Sequence, residues 1–413
     1  MRTTLLVAAL AVGVLLATDA IGQKPAPAAQ ERTFVLLPRS CYFVIPPRKP
    51  APAGTSNRLL VVLPGGDGSR EFLPFVQDGI AAQVPDDCAV ALVTAVKWRD
   101  DQVVVWPTAA SPVPDMAWPT EQLVGAVVDQ VAREFAVEPA RRAVLAWSSS
   151  GPAIWPLLVA ADGPFARGYV AMSVWPEPVA PAELAGAKGR RIVIDQSPED
   201  TTTPFHHARA AYDALSAAGA VVRVSIYRGG HGWNDRPLPR LKDCLGWLFG
   251  AQAAPAPRWP PPPKAGANLL RNGGFEQGLD GWRTIANSGR LTAEVQKQQR
   301  QQGKQALYVR KTGGAPLDLV TQEVELPPGR TLTAAAQLRC KGVQNAWLKV
   351  WRYGKDGKPI DDDVDLVRLP ADGDWQRVEK QFPCAGAVRA VVQLVVVLDG
   401  EVWLDDVSLT VDG

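Results

Sequence analysis

RRAVLAWSSSGPAIW, residues 141–155, decides how this 413-residue chain is read. A short apolar strand runs into three serines and then into a helix-compatible segment, the outline of a strand–nucleophile–helix turn. Such a turn strains the backbone of its nucleophile, so the residues two before and two after it must be small for neighbouring chain to pass. That demand chooses among the serines. Ser148 has Ala146 before it and Ser150 after it, whereas Ser149 would have Trp147 in the first of those places. Ser148 is therefore the expected nucleophile, set against the plainer reading of a Ser-rich turn behind a core strand.

A serine nucleophile needs an imidazole base, and the chain offers three histidines, His206, His207 and His231. His206 and His207 open a helical pattern. His231 stands in YRGGHGW (227–233), directly after an apolar strand and among glycines that let a loop fold back over a sheet edge. It also falls last in the order Ser, acid, His. The acid that orients the imidazole should lie between them on a loop after a strand. RIVIDQSPEDTTTPF (191–205) supplies Asp200 beyond the strand, with Asp195 at the strand end and Glu199 adjacent; Asp200 also suits a turn or helix cap. In LLVVLPGGDGS (59–69) a buried strand meets glycines whose amides can approach a substrate oxygen, so the Gly66 and Ser149 N–H groups are the expected oxyanion donors. No Lys-Ser/Thr follows those glycines and no dinucleotide pattern is completed, which argues against a phosphate loop.

The surroundings suit this chemistry. Apolar runs at 59–63, 88–95, 143–146, 169–174, 191–195 and 221–227 alternate with helical patterns, as parallel strands with crossover helices do. Thr120 is placed to cap a helix whose apolar face is Leu123, Val127, Val131 and Phe135. A second helix runs from about His206 to Ala218 and closes at Gly219. AQAAPAPRWPPPPKAG (251–266) continues neither helix nor sheet and reads as a semi-rigid linker. Beyond it ALYVRK, AWLKVWRY, AVVQLVVVL and VWLDDVSL, separated by Gly, Pro and Asp, are all-β in texture, and residues 298–302 read as a solvated loop. Four parts follow: a signal peptide (1–22), an α/β domain (23–250), the linker (251–266) and a β-sandwich (267–413).

The signal peptide rests on Arg2, the apolar run Leu5–Leu16 and the small residues Ala20 and Gly22, which imply a secreted or periplasmic protein. No stretch approaches the roughly eighteen continuous apolar residues of a membrane span. A formal charge of +2, from 44 Lys+Arg against 42 Asp+Glu, gives no electrostatic reason to propose nucleic acid as a partner. The five cysteines show no metal-ligand spacing; export permits disulfides, and Cys340 with Cys384 is the expected pair.

With these residues in view, the chain resembles the dienelactone-hydrolase-like and phospholipase/carboxylesterase-like α/β-hydrolases, including the secreted feruloyl-esterase type, over about residues 58–250. VEPARRAVLAWSSSG (137–151) looks like that family's strand and elbow, and PGGDGS (64–69) resembles its HGG-type oxyanion loop. EDTTTPF (199–205), with Asp200 four residues before Pro204, resembles its acid loop, and YRGGHGW its histidine loop. The resemblance implies an α/β hydrolase fold and a Ser148–Asp200–His231 triad that needs no cofactor. Ala146, Ser150 and Pro64 stand where the family has Gly, Gly and His.

NLLRNGGFEQGLDGW (268–282) and VWLDDVSL (402–409) resemble the first and last strands of jelly-roll carbohydrate-binding modules of the galactose-binding-like class. The resemblance implies a glycan partner and, where the two ends meet, a structural calcium ligated by Glu276 and Asp406. Trp347, Trp351, Tyr353 and Trp375 are candidate sugar-stacking residues, although alternation along AWLKVWRY assigns some of them to the core. Trp98, Trp106, Trp118, Trp155, Trp175 and Trp233 fall near the expected site, most as packing residues. The leading function is hydrolysis of carboxylic esters, of the acyl or feruloyl kind carried by polysaccharides. A peptidase on the same fold and a catalytically inactive glycan-binding protein are the alternatives.

Overall fold

Strands buried on both faces must be covered on both sides, and the first part of the chain is built that way. The computed structural model describes residues 26–412 apart from 177–178, 261–263, 265, 315, 328, 355–356 and 361–363, so the expected signal peptide lies outside the described residues. Eight strands form one sheet: β1 (Gln30–Phe34), β2 (Leu37–Ile45), β3 (Asn57–Leu63), β4 (Cys88–Val93), β5 (Val137–Trp147), β6 (Arg167–Ala171), β7 (Arg191–Gln196) and β8 (Val221–Ile226). Their order is β1-β2-β4-β3-β5-β6-β7-β8. β3 to β8 are parallel and β1 and β2 antiparallel, an α/β-hydrolase-like arrangement.

Alternation along β3 divides the core. Leu59, Val61 and Leu63 pack on one face beneath α1 (Thr120–Glu134), α2 (Gly151–Val159) and α3 (His206–Ala217). Leu60 and Val62 pack on the other with Phe75, Val76, Ile80 and the apolar side of α4 (Pro237–Phe249). Because the strands are parallel, the chain leaves β3, β5, β7 and β8 at the same C-terminal edge, where all four candidate loops gather.

Local departures from the sequence reading have physical causes. Thr120 is the first helical residue and not the cap, a place taken by Pro119, because its hydroxyl donates to the Pro107 carbonyl at 2.7 Å. The strand expected to reach Val174 stops at Ala171, where Met172 adopts φ 47°. The β1–β2 hairpin and α4 were not anticipated. All five cysteines are free thiols, so the expected Cys340–Cys384 disulfide is not formed.

Packing divides the chain after Trp259. The start of the expected linker lies on the first unit: Trp259 sits edge-on to Phe205 and Tyr212, with ring centroids 5.9 and 5.3 Å away, and the Arg209 guanidinium lies 4.9 Å over it. The second unit is a β-sandwich of two five-stranded antiparallel sheets. One contains β10 (Leu291–Gln296), β11 (Ala306–Lys311), β18 (Gly400–Asp412), β13 (Thr331–Lys341) and β16 (Gly373–Pro383). The other contains β15 (Asp365–Arg368), β14 (Ala346–Tyr353), β17 (Arg389–Val396), β12 (Asp318–Glu325) and β9 (Arg283–Ile285). Inward residues of both fill one core, with Leu307, Leu338, Leu348 and Leu394 at most 1% exposed. No helix among the described residues is long and apolar enough to cross a membrane.

Candidate active site

The elbow is visible in the backbone. Ser148 follows the last residue of β5 at φ 55°, a left-handed conformation costly for a residue with a Cβ, and heads a 3-10 turn that leads into α2. Ser150 does more than stay small. Its buried hydroxyl accepts the Trp147 N–H at 3.0 Å and donates to the Leu63 carbonyl at 2.7 Å, tying the turn to the end of β3. The strict steric demand falls one residue later: a Cβ on Gly151 would lie 1.7 Å from Ser173 Oγ.

Ser148 Oγ stands 2.9 Å from His231 Nε2, and His231 Nδ1 stands 2.8 Å from Asp200 Oδ2. An ionised carboxylate only accepts, so Nδ1 carries the proton and Nε2 is free to receive one from Ser148. Asp200 is 4% exposed yet fully partnered. Its Oδ1 accepts the amides of Thr202 and Thr203, each at 2.8 Å, and its Oδ2 accepts Thr203 Oγ1 at 2.7 Å and Gln196 Nε2 at 3.1 Å beside the imidazole. Gln196 and Thr203 were not singled out in the sequence. The Asp-x-x-Thr spacing of an Asx-type turn is the signal that could have found Thr203.

The other two acids do different work. Asp195, wholly buried, accepts Tyr169 Oη at 2.9 Å and Arg240 Nε at 3.1 Å; burial pushes its carboxyl above the usual range while Arg240 pulls it back. Glu199 Oε2 accepts the Gly229 amide at 2.7 Å, and Ser197 Oγ accepts Gly230 N–H at 3.2 Å. The histidine loop is thereby fastened to the acid loop. Gly229 at φ 104° and Gly232 at φ 134° give that loop conformations few other residues adopt. The Gly232 N–H points at Met172 Sδ, 3.0 Å away.

The oxyanion candidates are neighbours. Ser149 Oγ donates to the Gly66 carbonyl at 2.8 Å, which turns that hydroxyl away from the imidazole. Ser149 is the second residue of the turn leading into α2, where early amides lack intrahelical partners. Gly66 is exposed at φ 60°, and Gly65 must be glycine because a Cβ there would meet Trp147 at 2.5 Å. A concavity lined by Lys49, Arg58, Asp86, Asp87 and Arg141 lies at the opposite edge of the sheet; there Arg58 and Arg141 both pair with Asp87.

Five of the six tryptophans expected near the site (Trp98, Trp106, Trp118, Trp155 and Trp175) are at most 8% exposed and serve packing. Trp233 packs against Trp147 and Phe75, with centroids 5.4 Å apart in both pairs. In the second unit Trp347, Trp351 and Tyr353 have the same parity, and all face outward from β14 beside Lys349. None is core. The inward positions are Ala346, Leu348, Val350 and Arg352, the last held by the Pro383 carbonyl at 2.6 Å. Trp375, expected on the same face, lies on β16 in the other sheet.

Glu276 Oε1 accepts the Lys304 amide at 2.6 Å, and Asp406 adopts φ 50° beside Asp405, whose Oδ2 accepts the amides of Gln301 and Gln302. Both Glu276 and Asp406 flank Gly274. Among the described residues no group of three or more His, Cys, Asp or Glu could hold a metal. A calcium here would draw its remaining oxygens from the main chain and water.

The fold and the site together define an α/β-hydrolase-like unit, with a serine, an imidazole and a carboxylate in hydrogen-bonded sequence, joined to a β-sandwich. No family model and no curated protein matches the sequence. Among solved structures, the chain is similar to the Bacillus cereus carboxylesterase (15% identity, 51% of this chain and 94% of that one, TM-score 0.40). It is also similar to a thermostable esterase (18% identity, 54% of this chain and 62% of that one, TM-score 0.41). A family 16 carbohydrate-binding module aligns with 35% of this chain and 99% of its own, at 20% identity and TM-score 0.28.

Proposed function

We propose that this protein is an exported serine hydrolase that cleaves carboxylic esters through an acyl-enzyme. One observation carries the reading: Ser148 Oγ, His231 and Asp200 form an unbroken chain of 2.9 and 2.8 Å contacts with Ser148 in the strained elbow conformation. Ser148 Oγ attacks the ester carbonyl carbon and its proton passes to His231 Nε2. Asp200 fixes the ring and stabilises the imidazolium. The Gly66 and Ser149 amides are the donors assigned to the oxyanion in this reading. Collapse expels the alcohol, which takes the proton from Nε2. Water then attacks the acyl carbon by the same route in reverse, releasing the acid and restoring Ser148.

The Trp347–Trp351–Tyr353 face supports a second element of the reading, that the ester is carried on a glycan held by the sandwich. These rings lie on one side of a sheet, with polar partners that include Gln393, whose Oε1 accepts Trp351 Nε1 at 3.0 Å. Calcium ligation by Glu276 and Asp406 remains a proposal. Melts with calcium and with chelator test it, since ligand at a hundred times its dissociation constant adds about 2.7 kcal/mol.

Turnover of short p-nitrophenyl esters, run beside peptide substrates and with Ser148→Ala as control, tests the main proposal. Ester turnover that Ser148→Ala abolishes is expected. Peptide cleavage in its place would move the assignment to a peptidase, and no turnover of either would leave a binding protein.

A further inference from the structure

We propose that Arg240 is a positioning residue for His231, an inference that rests on the ester-hydrolase reading. The loop from Arg228 to Arg236 carries the imidazole and then enters α4 through two consecutive non-glycine residues in left-handed conformation, Asp235 at φ 50° and Arg236 at φ 56°. Such residues persist only where surrounding structure over-determines them. Here the Arg240 guanidinium contributes, beside the bonds of the Arg228 amide to Asp235 Oδ2 and of Asn234 Nδ2 to the Gly229 carbonyl. Arg240 Nη1 donates to the carbonyls of Asn234 and Asp235, both at 2.7 Å, while Nε of the same group donates to Asp195 Oδ2 at 3.1 Å.

The geometry joins two things that must keep register. Asp195 is on β7, the strand whose C-terminal end leads to Asp200, and the Asn234 and Asp235 carbonyls belong to the loop that presents His231. Arg240, planar and forked, adds a link between them to those that Glu199 and Ser197 make with Gly229 and Gly230, so it helps to set the distance between imidazole and carboxylate. The rest of its surroundings keeps it in place. Its side chain is 10% exposed and Asp195 is fully buried, the guanidinium carbon lies 4.1 Å over the Tyr227 ring, and Tyr169 Oη donates to the same Asp195 oxygen. A lysine keeps the charge, but a single ammonium lacks the fork that reaches both sides at once.

A role in positioning predicts loss of turnover with substrate binding preserved, because the hydrogen bonds of Arg240 go to Asp195, Asn234 and Asp235 and not to the Ser148 elbow or the Gly66 loop. Arg240→Lys should lower kcat on p-nitrophenyl esters about tenfold with KM within twofold, and Arg240→Met should lower it further. Both are to be tested below their melting transitions. The Nδ1 proton of His231, identified by its loss in Asp200→Asn, should give a low-field resonance that weakens or moves in Arg240→Lys. That readout does not depend on turnover. If the wild-type protein hydrolyses no ester, the resonance alone decides the positioning role and the functional reading fails separately. An Arg240→Lys protein with a cooperative melt, unchanged kcat and an unmoved resonance would overturn the proposal, whether or not Arg240→Met folds.

Discussion

Ser150 Oγ donates to the Leu63 carbonyl, so the turn that presents Ser148 is bound to the strand end that presents Gly66. Ser148 and the Gly66 loop thus share one support, the Ser150 hydroxyl. Ser150→Ala leaves the Leu63 carbonyl and the Trp147 amide without this partner, a cost of about 1–3 kcal/mol. We expect a lower melting temperature, by about 2–4 °C per kcal/mol, and reduced ester turnover. An unchanged melt would show that this hydroxyl merely fills space.

An alkyl fluorophosphonate should label Ser148, the serine whose Oγ faces the imidazole, and peptide mapping identifies the site. Ser149→Ala should keep the label while losing the bond to the Gly66 carbonyl, lowering turnover through a less ordered oxyanion loop. Label on Ser149 in a Ser148→Ala protein that retains activity would reverse the assignment.

Asp200→Asn should reduce kcat by about four orders of magnitude with the fold intact, because an amide can present the wrong group to Nδ1 and cannot stabilise the imidazolium. Asp195→Asn keeps the shape of a residue that never touches the imidazole, so its effect on kcat should be smaller and act through Arg240. Steady-state kinetics on the two variants decide the order.

The β-sandwich contains a fully buried pair, Lys311 and Asp318, at 2.8 Å. Burial opposes ionisation of Asp318, but hydrogen bonds from Lys311 and Ser288 outweigh it and hold the carboxyl below its ordinary value. A carboxyl depressed in the folded state contributes stability above its unfolded value and loses that contribution as pH falls through the folded value. Lys311→Met should therefore cost most near neutral pH, about 3–5 kcal/mol for stranding a buried charge. The gap to wild type should narrow below pH 4, where a protonated Asp318 needs no cation. Melts of the wild type and of Lys311→Met across pH measure the gap; a gap independent of pH would assign the cost to packing.

Much of this was legible because the chemistry and the fold leave the same marks. Parallel strands buried on both faces are continuous apolar runs, and LLVVL and RIVID announce themselves. The order of serine, acid and histidine then places three loops at one sheet edge. What escaped has no side-chain signature. Met172 ends a strand through a backbone conformation that nothing in YVAMSV encodes. In PLPRLKDCLGWLF two prolines fall in the first helical turn, where their missing N–H groups are not needed, so the helix begins at residues that usually end one. The pairings of Asp200 with His231 and of Arg240 with Asp195 join distant segments, which a local pattern cannot express.

The first unit extends past Gly250 to Trp259. The composition of 251–266 suggests truncation at Gly250, but the first unit retains more chain. The Gln252 carbonyl accepts Arg191 Nη2 at 2.8 Å and the Ala253 carbonyl accepts Trp247 Nε1 at 3.1 Å. Trp259 rests on Phe205, which immediately precedes α3 and follows the Asp200 turn by two residues. Removing residues 251–259 would uncover one large aromatic contact and leave two donors to water. A protein ending at Trp259 should hydrolyse small soluble esters with kcat close to that of the full chain, because such a substrate needs no accessory binding. One ending at Gly250 should melt several degrees lower and lose turnover as Phe205 and the adjoining acid loop loosen. Equal melts and equal kcat for the two truncations would make the segment a passive linker throughout, and loss of activity in both would make the sandwich part of the catalytic unit.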